Sequence, residues 1–322
     1  MVRKGRTWRK RYSTKERLFK NLALDNDIIS LSIWMQSRGF RNKSLVPAVF
    51  QNTGRGIMAR KRITDIIIQV PEGLIITTRT ILKSGLGPFF RKKARQFSSL
   101  EALCLFLIYE RSLGDESIWH FYIRTLPEEY SIPTYWTEEE LDILPKSLRS
   151  KVNTEVKQVQ RLYERCLRLG GNLSTFLRAD LTWNDFKWAW SAINTRCIYM
   201  KTYSGDYFLD DTNHLALIPY LDLLNHSDSA MIEAGFNKDK NCYEIKTLKT
   251  YNKYDQVFIS YGSHANAKLL LEYGFVIPSI QFDAVEFDFN FIKGMFDIDD
   301  ELFERLTREG FNELVPVIKR IS

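Results

Sequence analysis

Asp222-Leu-Leu-Asn225-His226-Ser227, Val257-Phe-Ile-Ser-Tyr261-Gly262 and Leu271-Glu-Tyr273-Gly274-Phe275 fall within one stretch, Leu215 to Pro278, whose reading decides the fold. The first piece follows the apolar run Leu215 to Tyr220, which reads as a buried strand, and Asp222 to Ser227 reads as the turn after it. Cys242 to Leu248 alternates apolar and polar residues, as a half-buried strand does, and pairs through Asn237-Lys-Asp239 with the segment before it. Gln256 to Ser260 is a further strand that delivers Tyr261 at its end. A short helix then stops at Tyr273-Gly274-Phe275.

Working outward, residues from about 97 to 200 carry helical periodicity. Leu100, Leu103, Cys104, Leu107 and Ile108 share one face, and Val156, Val159, Leu162, Tyr163 and Cys166 share another. Thr137-x-x-Glu140 and Thr182-x-x-Asp185 match the capping box, in which a side-chain oxygen takes a free N–H of the first turn. The second opens a helix with Phe186, Ala189, Trp190 and Ile193 on one side. Trp119, Phe121, Tyr122, Tyr130, Tyr135 and Trp136 read as hydrophobic packing, and Gly170-Gly-Asn172 as a loop.

Towards the N-terminus, Asp27 to Gly39 reads as a short amphipathic helix with Gly39 just past its end. Ala48 to Phe50, Thr53 to Ile57 and Ile66 to Pro71 read as strands joined by tight turns. Gly54-x-Gly56 is no dinucleotide fingerprint, because Ala59 stands where a third glycine is needed and no Gly-Lys-Ser/Thr follows. Ser84-Gly85-Leu86-Gly87-Pro88 reads as a turn before a helix.

The 322 residues, 44% hydrophobic and 13% aromatic, suffice for a sizeable core. The net charge of +7 looks like a nucleic-acid signal until it is apportioned. Residues 1–20 hold nine of the 46 basic residues and one of the 39 acidic ones, so they carry +8 and the rest −1. That tail reads as a solvated end, a localisation signal or a nucleic-acid arm. The four cysteines and four histidines show no ligand spacing, so neither a metal nor a disulfide framework is expected. No apolar run reaches the roughly 20 residues of a membrane span.

The Asn225-His226 pair, the strand ending in Tyr261-Gly262 and the Tyr273-Gly274-Phe275 helix end resemble the C-terminal half of a SET domain. Gly54-Arg55-Gly56 and the strand ending in Val70-Pro71 resemble its opening, and the helical block resembles the insertion of the plant Rubisco large-subunit lysine methyltransferase class. A closer match within that class covers residues 27 to 278, adding Leu144-Pro-Lys-Ser-Leu148, Asn194-Thr-Arg196 and Pro219 to Ser227. The resemblance implies an α+β, β-clip SET fold with a knot-like C-terminal motif, split by a helical insertion. It also implies a short helical extension, the truncated remnant of a substrate-binding domain. The domains expected are a basic tail at 1–20, a SET domain at 21–279 with its insertion at about 97–200, and the extension at 280–322.

By the same resemblance the activity is S-adenosylmethionine-dependent methylation of a protein lysine, histones included. Tyr261 would be catalytic. Arg55 and Gly56 would lie against the methionine part of the cofactor, Gly85, Leu86 and Gly87 against its adenosine, and Arg196 would reach its carboxylate. Asn225 and His226 would hold the adenosine half and Phe275 flank the adenine, with Asp222 and Tyr273 on the substrate side. The protein is expected as a cytoplasmic and nuclear monomer with no need of nucleic acid or membrane. Rival readings are a histidine methyltransferase, disfavoured by Ile198 where that branch has asparagine two residues after the arginine, a non-catalytic SET-fold binding module, and a nucleic-acid binder led by the tail.

Overall fold

A computed structural model describes residues 19–171, 173–178, 180–200, 208–209, 215–278, 280–281, 284–287, 293–295, 299–309 and 315–317. Most of the basic tail, Asn172, His214 and parts of the acidic segment after Pro278 therefore lie outside the described residues.

Twelve short strands are described: β1 (Phe19–Asn21), β2 (Leu45–Phe50), β3 (Gly54–Ala59), β4 (Ile66–Pro71), β5 (Ile198–Tyr199), β6 (Leu215–Ala216), β7 (Asn225–His226), β8 (Ile232–Asn237), β9 (Cys242–Thr247), β10 (Gln256–Ile259), β11 (Val285–Phe287) and β12 (Val315–Val317). They form a five-stranded sheet of order β1-β2-β3-β10-β7, a three-stranded sheet β4-β9-β8, and the pairs β5-β6 and β11-β12. The hairpin β2-β3 runs from Leu45 opposite Ala59 to Phe50 opposite Gly54. Gly54 at φ +64 closes its turn, a backbone angle that side chains with a Cβ resist.

The decisive pairing is β10 with β7. It is parallel, with Phe258 opposite Asn225 and Ile259 opposite His226. Parallel neighbours need a crossover connection rather than a tight turn. Here the β8-β9 hairpin lies within that connection, so Asn225-His226 and Tyr261 arrive side by side from distant parts of the chain. Asn225-His226 is thus a strand and not the expected turn, and the expected strand over Leu215 to Tyr220 shrinks to Leu215–Ala216. The chain reverses instead at Tyr220, whose φ of 70° is left-handed. Its buried hydroxyl accepts from Asn42 Nδ2 at 2.8 Å and its ring packs 5.3 Å from Phe40, which hold it there. Strand β9 is also more buried than its alternation suggests. It is the middle strand of its sheet, and Glu244 is covered by Gln69, Lys240 and Lys246.

The helices are α1 (Asn26–Ser37), α2 (Thr78–Lys83), α3 (Gly87–Lys93), α4 (Ser99–Ser112), α5 (His120–Ile123), α6 (Glu138–Leu141), α7 (Lys146–Gly170), α8 (Leu173–Leu177), α9 (Trp183–Arg196), α10 (Asn266–Tyr273) and α11 (Asp300–Arg308). Their ends follow local chemistry. Both sequence-predicted threonine caps form, with Thr137 accepting from the Glu140 amide and Thr182 from the Asp185 amide. Gly39 takes φ +92 after α1. Helix α4 is buried along Ala102 to Ile108 and packs on α9, so it is the axis of the helical block. The aromatic stretch is mainly packing, with Trp119 and Tyr122 in the core. Beyond Pro278 the described residues hold α11 and also the antiparallel pair β11-β12, so the extension is not wholly helical. Among the described residues no helix is long and apolar enough to cross a membrane.

Candidate active site

A cavity of about 810 Å³ opens where β3, β7, β10, the end of α9 and the end of α10 meet. It is lined by Arg55, Arg196, Asp222, Asn225, His226, Tyr261, Tyr273 and Phe275, eight of the residues singled out from sequence. The parallel β7-β10 pairing explains the meeting, because it sets His226 beside Tyr261. The Tyr261 amide donates to His226 Nδ1 at 3.0 Å, and the two rings lie 5.2 Å apart. Tyr273 is 5.0 Å from Tyr261 and Phe275 is 6.2 Å from Tyr273, so aromatic rings form a continuous wall.

The Tyr261 hydroxyl donates to the Leu224 carbonyl at 2.7 Å. Burial pushes this phenol well above its ordinary range, with Arg196 pulling partly back, so it stays protonated at neutral pH. His226 is held below the usual imidazole range, first by burial and then by His264. Since its Nδ1 accepts a backbone N–H, the neutral ring carries its proton on Nε2, which is buried and has no partner among the described residues.

Charge on the opposite wall is arranged around Arg196. Its Nη1 donates to the Asp222 backbone oxygen at 2.9 Å and to Asp222 Oδ2 at 3.2 Å, and Tyr122 donates to the same Oδ2 at 3.1 Å. Burial opposes the guanidinium charge, but Asp222 more than restores it and keeps Arg196 above its ordinary range. Its Nε is buried and has no partner among the described residues. Arg55 donates through Nη2 to Thr125 O at 2.7 Å and is lowered by burial and by Arg196. Two guanidinium groups thus face the cavity against one buried carboxylate.

Asn225 ties β7 to β3, its Nδ2 donating to Thr53 O and Arg55 O at 3.2 Å each. Gly56 does not itself line the cavity. It makes the tie possible, because a Cβ there would lie 2.7 Å from Asn225 Nδ2. Asn194 fixes α9 to α10 by donating to Glu272 O at 3.0 Å.

Gly85, Leu86 and Gly87 are not brought to the cavity. Leu86 is fully buried in the core, a Cβ on Gly85 would fall on the Tyr109 hydroxyl, and one on Gly87 would strike Leu82 O at 2.3 Å. Gly85 thus lets the turn pass close to Tyr109 on α4, and Gly87 lets α3 start close against α2. Sequence reading also missed Pro127 to Ser131, which line the cavity from the connection after α5. Trp188 Nε1 holds Pro127 O at 2.9 Å and Trp136 Nε1 holds Ser131 O at 3.0 Å. Gly274, at φ +77, lets α10 approach this segment, whose sequence Pro127-Glu-Glu-Tyr-Ser131 gave no periodic signal.

Such a fold and cavity define a SET-domain protein: the SET domain profile matches residues 54–262, and the chain belongs to that family. More particularly, it is 36% identical to SET domain-containing protein 4 of Mus musculus, over 85% of this chain and 64% of that protein. The Artemia parthenogenetica protein of the same name is 37% identical, over 78% of this chain and 63% of that one. The actin-histidine N-methyltransferase of Danio rerio is 30% identical, over 76% of this chain and 41% of that protein. The chain therefore spans less than two thirds of the length of these relatives. Among solved structures, the SET domain of LSMT bound to MeLysine and AdoHcy superposes with a TM-score of 0.70 at 26% identity, over 90% of this chain and 65% of that one.

Proposed function

We propose that this chain is an S-adenosylmethionine-dependent protein methyltransferase acting on a lysine amine, of a histone or another protein. One observation carries the reading. Arg196 Nε and His226 Nε2 are buried polar groups without partners among the described residues, and both residues line the cavity with the Tyr261–Tyr273 aromatic pair. Buried donors without partners are costly, so two around one cavity mark a place built for a polar ligand. The LSMT neighbour, bound to AdoHcy and methyllysine, supports the same assignment.

S-adenosylmethionine, when bound, supplies an electrophilic methyl group. What remains for the chain is alignment, exclusion of water and an unprotonated amine. An apolar, aromatic wall favours the neutral amine, because burial penalises its charged form. Tyr261 donates its proton to Leu224 O, which leaves the phenolic lone pairs free to accept from the amine or to stabilise positive charge on the moving methyl. Neither Tyr261 nor the neutral His226 acts as a base here.

Lysine is read over histidine because Ile198, half-buried on β5 opposite Ala216, stands two residues after Arg196, where the resemblance gives the histidine branch an asparagine. The cytoplasmic and nuclear setting and a monomeric state belong to the same proposal. The test is incubation with methyl-labelled cofactor and a histone and proteome panel, followed by mass spectrometry. Methyllysine made by wild type and lost in Tyr261→Phe is expected. Methylhistidine without methyllysine would overturn the lysine assignment, and no binding of S-adenosylmethionine at millimolar concentration would leave a binding module instead.

A further inference from the structure

We infer that His264 is a positioning residue for Tyr261, closing on its carbonyl a clamp that His226 closes on its N–H. The inference rests on the methyltransferase reading for its effect on turnover, and it adds a residue that does not itself line the cavity. The Tyr261 amide donates to His226 Nδ1 at 3.0 Å, and His264 Nε2 lies 3.1 Å from the Tyr261 carbonyl oxygen. A carbonyl only accepts, so Nε2 carries the proton and donates it. Both polar groups of the Tyr261 main chain are thus held by imidazoles, one from β7 and one from the turn before α10.

The local chain is shaped for this bond. Gly262 takes φ +133, a region that side chains with a Cβ avoid, and a Cβ there would lie 2.8 Å from both Cε1 and Nε2 of His264. The glycine after the tyrosine therefore makes room for the His264 ring to fold back over the turn. The His264 amide donates to Gly262 O at 3.1 Å and tightens that turn. The ring also stacks on Tyr273, with centroids 6.3 Å apart and planes 24° from parallel, and Tyr273 in turn lies 5.0 Å from Tyr261. An apolar side chain could fill the space against Tyr273 but could not hold the carbonyl. What the imidazole adds beyond packing is a donor, which fixes how the Tyr261 backbone leaves β10 and so the aim of its hydroxyl at Leu224 O.

Two variants of the full chain separate positioning from packing. His264→Leu removes the donor and keeps the bulk, while His264→Gln keeps an N–H at a similar reach. With methyl-labelled S-adenosylmethionine and core histones, His264→Leu should lose about tenfold in turnover, the strength of one hydrogen bond, with the KM for the cofactor near wild type. His264→Gln should recover most of that loss. Amide hydrogen exchange, followed by NMR on the chain carrying isotope-labelled tyrosine, reads the clamp without any turnover. Exchange at the Tyr261 N–H, identified by its loss in Tyr261→Phe, should quicken about tenfold in His264→Leu and stay near wild type in His264→Gln. Wild-type turnover or exchange in His264→Leu, or a glutamine variant no better than the leucine one, would overturn the inference. If wild type itself transfers no methyl group to histones or to a proteome extract, the methyltransferase reading falls and the exchange measurement alone decides the clamp.

Discussion

His226 Nδ1 accepts the backbone N–H of Tyr261 at 3.0 Å, so the imidazole is a strut under the tyrosine rather than a proton carrier. The bond crosses from β7 to the residues just past β10 and fixes where the Tyr261 backbone leaves its strand. What the strut positions is the bond from the Tyr261 hydroxyl to Leu224 O.

Tyr261→Phe should therefore lower the turnover number for methyl transfer by roughly 10²–10³ while leaving S-adenosylhomocysteine affinity near wild type. Single-turnover kinetics with a methylated-product assay measure it. A variant that turns over at the wild-type rate would remove the hydroxyl from the reaction.

Asp222→Ala should cost about 3–5 kcal/mol of stability, since it strands Arg196 in a buried site next to Arg55. Urea denaturation followed by fluorescence gives the number. A loss below about 1 kcal/mol would mean that the pair is screened as surface pairs are.

Gly274→Ala should be destabilised by at least ~2 kcal/mol and should lose ligand binding as well. The residue sits at φ +77, and a Cβ would lie 2.6 Å from the Ser131 backbone carbon and 2.7 Å from the Ile132 nitrogen. Relief of either clash must push α10 off the Pro127 to Ser131 segment, which thermal melting with and without S-adenosylhomocysteine would reveal.

Glu155 on α7 faces Glu272 on α10, and burial followed by that neighbour raises its carboxyl from 4.5 to about 7. Between these two pH values the folded chain binds more protons than the unfolded one, so stability falls as pH rises through the window. Glu155→Gln should flatten that fall and be the more stable form at pH 8, by about 1 kcal/mol once solvent screening is allowed for. Melting curves from pH 4 to 8 check it, and parallel curves for the two proteins would refute it.

What could be read from sequence was local chemistry. Thr137, Thr182, Gly39 and Gly274 announce helix ends because a cap needs only its own neighbours, and Asn225, His226, Tyr261, Tyr273 and Phe275 meet in one cavity as their motifs imply. Asn225-His226 looked like a turn because two residues of parallel pairing to a strand thirty positions away leave no periodic trace. Gly85 to Gly87 read as a turn and, by resemblance, as backbone against the adenosine; glycine signals close approach without saying of what, and the close neighbours described are Tyr109 and Leu82. The Arg196–Asp222 pairing and the part played by Pro127 to Ser131 depend on which helices end side by side, which spacing does not encode.

The tie from Asn225 to Thr53 spans 172 residues of chain, and that from Thr53 to Gln256 spans 203. Closing such loops costs entropy before any contact is gained, so the hairpins and the helical block can form earlier and the cavity comes last in folding. A ligand of this cavity consequently meets nothing to hold until the chain is complete around it. Its binding energy then goes wholly to the native state, raising the population of folded protein by mass action while leaving earlier folding steps untouched.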